Sequence, residues 1–379
     1  MTQKKNIRIV ADDKIPFLKG VLEPYAEVEY LPGASIDAGI LKDADALITR
    51  TRTKVNRESL AGSKVKFVAT ATIGFDHIDT EWLAENSIGW TNAPGCNSTS
   101  VMQYIAANLV FLARKYRFQF KDKTLGVVGV GNVGSKVARM AETLGFKVLL
   151  NDPPRQREEG ADSFVSFEEI KKKADIITFH VPLNKEGEDK TAGMGDAGFF
   201  KSLKRKPIVI NSSRGPVIDG GALKTAIHEG DVSGAVLDVW NNEPNIDPEL
   251  VDMLDIVTPH IAGYSLDGKA NGTSMSVNAI AGFFDLPLKN WTPEQIPEPE
   301  EPVIHIDNIG LTDQEVLERA IYHTYHIERD DKALCNNLKD FEKLRGNYPV
   351  RREFTSYRVV LKSEDKNITE QFKKLGFNK

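Results

Sequence analysis

Two cysteines in 379 residues, Cys96 and Cys335, are too few to staple a chain of this length and have no metal-ligand spacing. A disulfide scaffold and a thiolate metal centre are thereby excluded, and a reducing compartment fits. Charge of one sign is also missing: 49 basic residues face 54 acidic ones, a formal net charge of −5. A polyanion-binding protein is therefore not expected. No uninterrupted apolar run approaches the ~20 residues of a membrane span. The opening MTQKKNIRIVADDK reaches charge too soon for a signal-peptide core. These absences point to a cytoplasmic protein with no membrane or nucleic-acid partner. What the chain does have is 41% apolar residues, enough for two or three domains with packed cores.

The stretch GVVGVGNVGSKVARMAETLGFKVLLNDPPR, 126–155, organises the rest. It reads as a strand, a glycine turn, a helix and a second strand closing on Asp152, the pattern of a dinucleotide-binding unit. Gly129 suits the tight turn, Gly131 lets pyrophosphate approach the backbone, and Gly134 lets the helix pack on the strand. Asn132 and Val133 lie where the helix begins, so its free amides and dipole face an anion. Asp152, 18 residues past Gly134, is placed to accept both ribose hydroxyls. Its charge would repel the extra phosphate of NADP, which points to NAD, although Arg155 could pair with that phosphate.

Before this unit, short strands (IRIVADD, AEVEYLP, ADALITR, KVKFVAT, IGWTNAP) alternate with helical stretches and carry no glycine fingerprint. This first alpha/beta domain is the better candidate for holding substrate. Polar strand ends mark it: Arg50, Thr51, Arg52 and Lys54 after one strand, Thr70, Thr72 and Gly74 after another. A long apolar-rich helix, SVMQYIAANLVFLARKY, precedes the fingerprint and should be buried between domains or subunits. Past the fingerprint, ADIITFHVP, PIVINSS, GAVLDVW and DIVTPH continue a parallel, doubly wound sheet. LPLKNWTPEQIPEPEEP, 286–302, is too rich in Pro and Glu for regular structure and marks a boundary. Beyond it lies a module of about 75 residues with one amphipathic helix, TDQEVLERAIYHTYHIERD, a strand, FTSYRVVL, and a final helix. It is marginal for a core of its own and is expected to pack against a partner subunit. His323 and His326 have no third ligand nearby in sequence, so no metal is expected. The resulting division is 1–98 for substrate, completed by 261–287, then 99–260 for NAD, then 288–379.

Three segments fall at strand ends on the fingerprint's edge of the sheet: NSSRGPVID with Arg214, LDVWNNEPNID with Asp238 and Glu243, and VTPHIAGYS with His260. Removing hydride from a carbinol carbon requires a base for the hydroxyl proton, which suits His260. Glu243 can fix its tautomer, and Arg214 offers a planar fork for a carboxylate.

This order of motifs resembles the D-isomer-specific 2-hydroxyacid dehydrogenase family, including its spacing of 29 residues from Arg to Glu and 17 from Glu to His. The resemblance implies two doubly wound Rossmann-like alpha/beta domains plus a small alpha+beta C-terminal dimerisation domain. It implies Arg214, Glu243 and His260 as catalytic residues, and NAD held at Gly129, Gly131, Asn132, Val133, Gly134, Asp152, Asp238 and Gly263. It also implies contacts of Thr51, Thr72 and Tyr264 with a phosphorylated 2-hydroxy acid, in a homodimer. Thr51 stands where serine is expected and keeps the hydroxyl. Val181 stands where threonine is expected and removes a side-chain bond to the cofactor. Arg50, Arg52 and Lys54 form the nearest basic cluster for the phosphate, with Arg351 and Arg352 reaching in from a partner as a second source. A phosphoglycerate- or glycerate-type enzyme and a non-catalytic NAD sensor are the rival readings.

Overall fold

A computed structural model describes residues 6–160 and 162–378, in two compact units. One comprises Met1–Asn97 with Ser265–Pro297, the other Ser98–Tyr264 with Glu298–Lys379.

The first unit is built on five parallel strands: β1 (Arg8–Asp12), β2 (Glu27–Leu31), β3 (Ala46–Thr49), β4 (Phe67–Thr70) and β5 (Gly89–Thr91), in the order β2-β1-β3-β4-β5. Strands β1 and β3 are buried almost throughout, as a parallel sheet covered on both faces requires. Ile9, Ala11 and Ile48 pack with Val277, Ile280 and Ala281 of the helix Leu266–Phe283. Val10, Leu47 and Val68 face the opposite layer, with Leu41, Leu60 and Leu83. The helix after Tyr264 thus returns to the first sheet.

The second unit holds six parallel strands: β6 (Thr124–Val128), β7 (Lys147–Asn151), β8 (Ile176–Phe179), β9 (Ile208–Asn211), β10 (Gly234–Leu237) and β11 (Ile256–Val257). Their order is β11-β10-β9-β8-β6-β7, so the chain reverses direction across the sheet beside β6. All strands being parallel, every strand ends on one edge, and the loops after β6, β7, β9, β10 and β11 share it.

The long helix Ser98–Tyr116 is buried along most of its length. One flank packs on the helix Gly134–Leu144 and the other on helices of the C-terminal module, so it lies inside this unit. The module pairs β12 (Val303–Ile306) with β13 (Arg358–Leu361), again parallel. Its Val316, Leu317, Ile321 and Phe372 share one core with Leu109, Val110, Val137 and Ala141. A module too small to close a core of its own is here stabilised by the nucleotide domain of the same chain.

The single amphipathic helix expected after Thr312 is two. Asp313–Thr324 starts with a capping box of Thr312 and Glu315, and a second helix runs Ile327–Asn336. Tyr325 between them is extended, with φ −155°, and donates its hydroxyl to Asp330 at 2.6 Å. The break turns an aromatic ring inward that a continuous helix would have pointed elsewhere. Among the described residues, no helix is long and apolar enough to cross a membrane.

Candidate active site

The three fingerprint glycines are distinguished by what a side chain would meet. Gly129 has φ +84°, and an added Cβ would lie 2.8 Å from the carbonyl of His180 at the end of the neighbouring strand. At Gly134 the Cβ would fall 1.9 Å from the carbonyl oxygen of Gly129, so turn and helix touch backbone to backbone. At Gly131 nothing lies within 4 Å, so no protein atom demands glycine there. An open position between two constrained ones, exposed with Asn132 beneath the N-terminus of the eleven-residue helix Gly134–Leu144, is a cradle for an anion from outside the chain. Val133 is the N-cap residue and makes no side-chain capping bond, while the Ser135 and Lys136 amides donate to the Gly131 and Val133 carbonyls.

Asp152 follows β7 beside this turn, as the N-cap of the helix Pro153–Glu159. Its Oδ2 accepts from the Val130 amide at 2.7 Å and its Oδ1 from the Arg155 amide at 3.1 Å, so the carboxylate is fixed in orientation. Arg155 is committed: it forks onto Glu159 at 2.6 and 2.7 Å and donates to the Val130 carbonyl at 2.6 Å. Its charge is answered within the helix, and the fork that could have received a ribose phosphate is in use.

The catalytic candidates meet on the same edge. Arg214 follows β9, and Gly215 presses on the next loop so closely that a Cβ would lie 2.0 Å from the Trp240 carbonyl oxygen. Asn211 braces the turn, accepting from the Ser213 amide and donating to the Arg214 carbonyl, both at 3.0 Å. Glu243 Oε1 accepts from the Trp240 amide at 2.9 Å, and Oε2 from His260 Nδ1 at 2.8 Å. Burial raises the Glu243 carboxyl pKa, but the His260 hydrogen bond and charge, the Trp240 amide and Arg345 outweigh it, and the net shift is downward. An ionised carboxylate therefore fixes Nδ1 as the protonated nitrogen and leaves Nε2 for chemistry. His260 has φ +57°, a left-handed backbone that aims its ring out of the strand end.

Asp238 is 1% exposed and turned into the loop that carries His260. Its Oδ1 accepts from Thr258 Oγ1 and the Ile261 amide, each at 2.7 Å, and Oδ2 from the Ala262 amide at 3.0 Å. Burial pushes its pKa up against the pull of the His260 charge and these donors. Trp240 Nε1 and Tyr104 tie down Thr258 from behind, through its carbonyl and hydroxyl. Gly263 follows in the same loop. Tyr264 then meets Arg345 of the C-terminal module, whose Nη2 lies 3.4 Å from its hydroxyl.

Arg345 was not legible as a site residue, since it lies 81 positions from Tyr264 in an unremarkable helix. Arg351 and Arg352, expected to reach in from a partner subunit, are only 5% and 6% exposed within their own chain. Arg351 Nη2 donates to the Ala262 carbonyl at 2.6 Å, and Gln103 donates to the Arg352 carbonyl. Tyr325 provides a ring 4.4 Å from the Arg351 guanidinium.

In the first unit, Arg50, Thr51 and Arg52 form the turn after β3, and Thr72 follows the adjacent β4. Arg50 lies 3.3 and 3.4 Å from the two oxygens of the buried Asp12. Thr51 and Arg52 are exposed. Thr72 shares a 2.8 Å hydrogen bond with Thr70. His323 bonds the Glu301 carbonyl and His326 packs against Tyr322.

Residues 107–262 match the model of the D-isomer specific 2-hydroxyacid dehydrogenase NAD binding domain, and 297–376 match a domain of unknown function (DUF3410). The erythronate-4-phosphate dehydrogenase of Bacteroides thetaiotaomicron is 50% identical over 356 residues, 93% of this chain and 99% of that protein. That of Escherichia coli is 41% identical over 375 residues, 98% of each. Among solved structures, NAD-bound 3-phosphoglycerate dehydrogenase of Entamoeba histolytica is similar with TM-score 0.64 and 27% identity, covering 77% of this chain and 100% of that one. D-lactate dehydrogenase of Aquifex aeolicus, complexed with NAD and lactic acid, gives 0.61 and 25%, covering 73% and 95%. The open glycine cradle, the oriented Asp152 and the committed Arg155 fit NAD as the cofactor. The chain belongs to the D-isomer-specific 2-hydroxyacid dehydrogenase family, as an NAD-dependent oxidoreductase of its erythronate-4-phosphate dehydrogenase branch.

Proposed function

We propose that the protein oxidises 4-phospho-D-erythronate to 2-oxo-3-hydroxy-4-phosphobutanoate, a step toward pyridoxal phosphate in vitamin B6 biosynthesis. The observation that carries the chemistry is the 2.8 Å bond from His260 Nδ1 to an ionised Glu243. NAD, when bound, supplies the hydride acceptor. With Nδ1 occupied, His260 takes the proton of the substrate hydroxyl at Nε2, and Glu243 stabilises the imidazolium that forms. Arg214 presents its guanidinium to the carboxylate and to the oxygen that becomes the carbonyl. Gly131, Asn132, Val133 and Gly134 receive the pyrophosphate at the turn that Gly129 shapes, its own amide donating to the Asn151 carbonyl at 2.8 Å, and Asp152 takes the ribose hydroxyls. Gly263 offers its backbone to the nicotinamide end, in the loop that Asp238 holds. Substrate contacts are assigned to Thr51, Thr72, Arg50, Arg52 and Tyr264.

The protein is further proposed to act in the cytoplasm as a homodimer through residues 288–379. Ile309 and Val350 of that module, 67% and 66% exposed, are two apolar side chains that a partner would cover. Purified protein mixed with NAD and 4-phosphoerythronate should reduce nicotinamide, followed by absorbance, with 3-phosphoglycerate as the comparison. Turnover of the second substrate alone would overturn the substrate assignment, and turnover of neither would overturn the enzymatic one.

A further inference from the structure

The C-terminal module delivers two guanidinium groups to the 260–264 loop, and neither has a role in the reaction just described. Arg351 is buried and holds the Ala262 carbonyl at 2.6 Å, while Asp238 holds the amides of Ile261 and Ala262. A buried cation and a buried anion thus grip one stretch of backbone between His260 and Tyr264.

Arg345 reaches Tyr264, and its charge acts on Glu243. Its guanidinium is 5.9 Å from the Tyr264 ring and 6.0 Å from that of Phe341. Nη2 lies 3.4 Å from the Tyr264 hydroxyl, Nη1 donates to Glu342 at 3.2 Å, and Nε is buried without a partner. The groups around it are Tyr264, Glu342 and Glu243, with Tyr348 packed edge-on against Tyr264 at 5.9 Å and itself bonded to Asp330. With its side chain only 17% exposed, this cation is costly to desolvate. An apolar residue of similar length would serve helix packing as well or better. What a guanidinium adds is a hold on one hydroxyl and a fixed positive charge near one carboxylate.

We propose that Arg345 is a positioning residue for the reaction, orienting the Tyr264 hydroxyl and keeping a cation beside the Glu243–His260 pair, with Arg351 setting the backbone of the loop. This inference rests on the reading of His260 as the acid–base group. It gives the module a task within its own chain, distinct from joining two chains.

The test uses the full chain carrying Arg345→Met, Arg345→Lys, Tyr264→Phe or the Met/Phe pair, with His260→Ala as the benchmark. Arg345→Met should lower kcat/KM for the phosphorylated substrate about tenfold while the Kd for NAD stays within about twofold. The acid limb of its pH–rate profile should move to higher pH, because Glu243 loses a neighbouring cation. Arg345→Lys should restore the acid limb but not the KM, since an ammonium keeps the charge and loses the fork. The double variant should lose no more than the worse single one, the sign of a shared role. Parental kcat/KM in Arg345→Met, or losses that multiply in the double variant, would overturn the proposal. Should the methionine variant fail to fold, a parental KM in Arg345→Lys overturns it equally. If instead His260→Ala keeps parental turnover, the acid–base reading itself fails, whatever Arg345 does.

Discussion

The two parallel sheets place their first strand alike, with the second and third on either side of it, yet the turns leaving those first strands are electrostatic opposites. After β6 come glycines, an open position at Gly131 and a helix N-terminus without a side-chain cap. β1 instead ends on Asp12, 1% exposed, accepting from the Lys14 amide at 2.8 Å and paired with Arg50. Gly33 crowds it so closely that an added Cβ would lie 2.5 Å from its Oδ2. A buried carboxylate thus closes the first strand of one sheet, where the other sheet's first strand runs into the glycine turn. One topology therefore gives one nucleotide cradle and one salt bridge, and the difference resides in a few side chains at strand ends.

That contrast can be broken most forcefully at the second sheet's edge. His260→Ala should lower kcat by on the order of 10² to 10⁴ with the Kd for NAD nearly unchanged, measured by steady-state kinetics and cofactor titration. A merely raised KM would mean that the acid–base group lies elsewhere. Next come the glycines. Gly134→Ala brings a Cβ 1.9 Å from the Gly129 oxygen, so both Tm and NAD binding should fall. Gly131→Ala, with no protein atom within 4 Å, should keep its Tm and lose cofactor affinity only. Equal losses of Tm in the two would erase the distinction between a structural and a ligand-facing glycine.

Smaller effects belong to the first sheet. Arg50→Gln should raise the KM for the phosphorylated substrate severalfold at parental kcat, and leave Asp12 with one partner fewer, costing a few degrees of Tm at most. An unchanged KM would reduce this edge to a structural salt bridge. The smallest signal is the pH dependence of stability. The folded pKa of Glu243 is lowered, so its contribution is complete above the ordinary carboxylate range and is lost only as pH falls through the depressed value. The Tm gap between the parent and Glu243→Gln should therefore persist to about pH 4 and close below it.

The second sheet was the more legible of the two, for physical reasons. Glycines under steric constraint, strands buried on both faces and a carboxylate closing β7 are local, and a local pattern survives in a one-dimensional reading. The histidine, glutamate and arginine followed from strand ends on one edge and from the family resemblance. What stayed hidden depends on distant pairing: Asp238 spending its oxygens on loop amides, Arg50 engaged with Asp12 38 positions away, and Arg345 reaching Tyr264. The split helix at Tyr325 was hidden too, because its reason is the part-buried Asp330 and the buried Arg351, not the helix's own periodicity.

The left-handed backbone at His260, φ +57°, sets a rule for choosing its replacement. Most residues pay about 1–2 kcal/mol to hold that conformation, whereas asparagine tolerates it through local hydrogen bonding. An alanine there removes the imidazole and also loads the loop with conformational cost. His260→Asn removes the base while keeping the shape, and is the cleaner blank against which every other substitution in the loop should be measured.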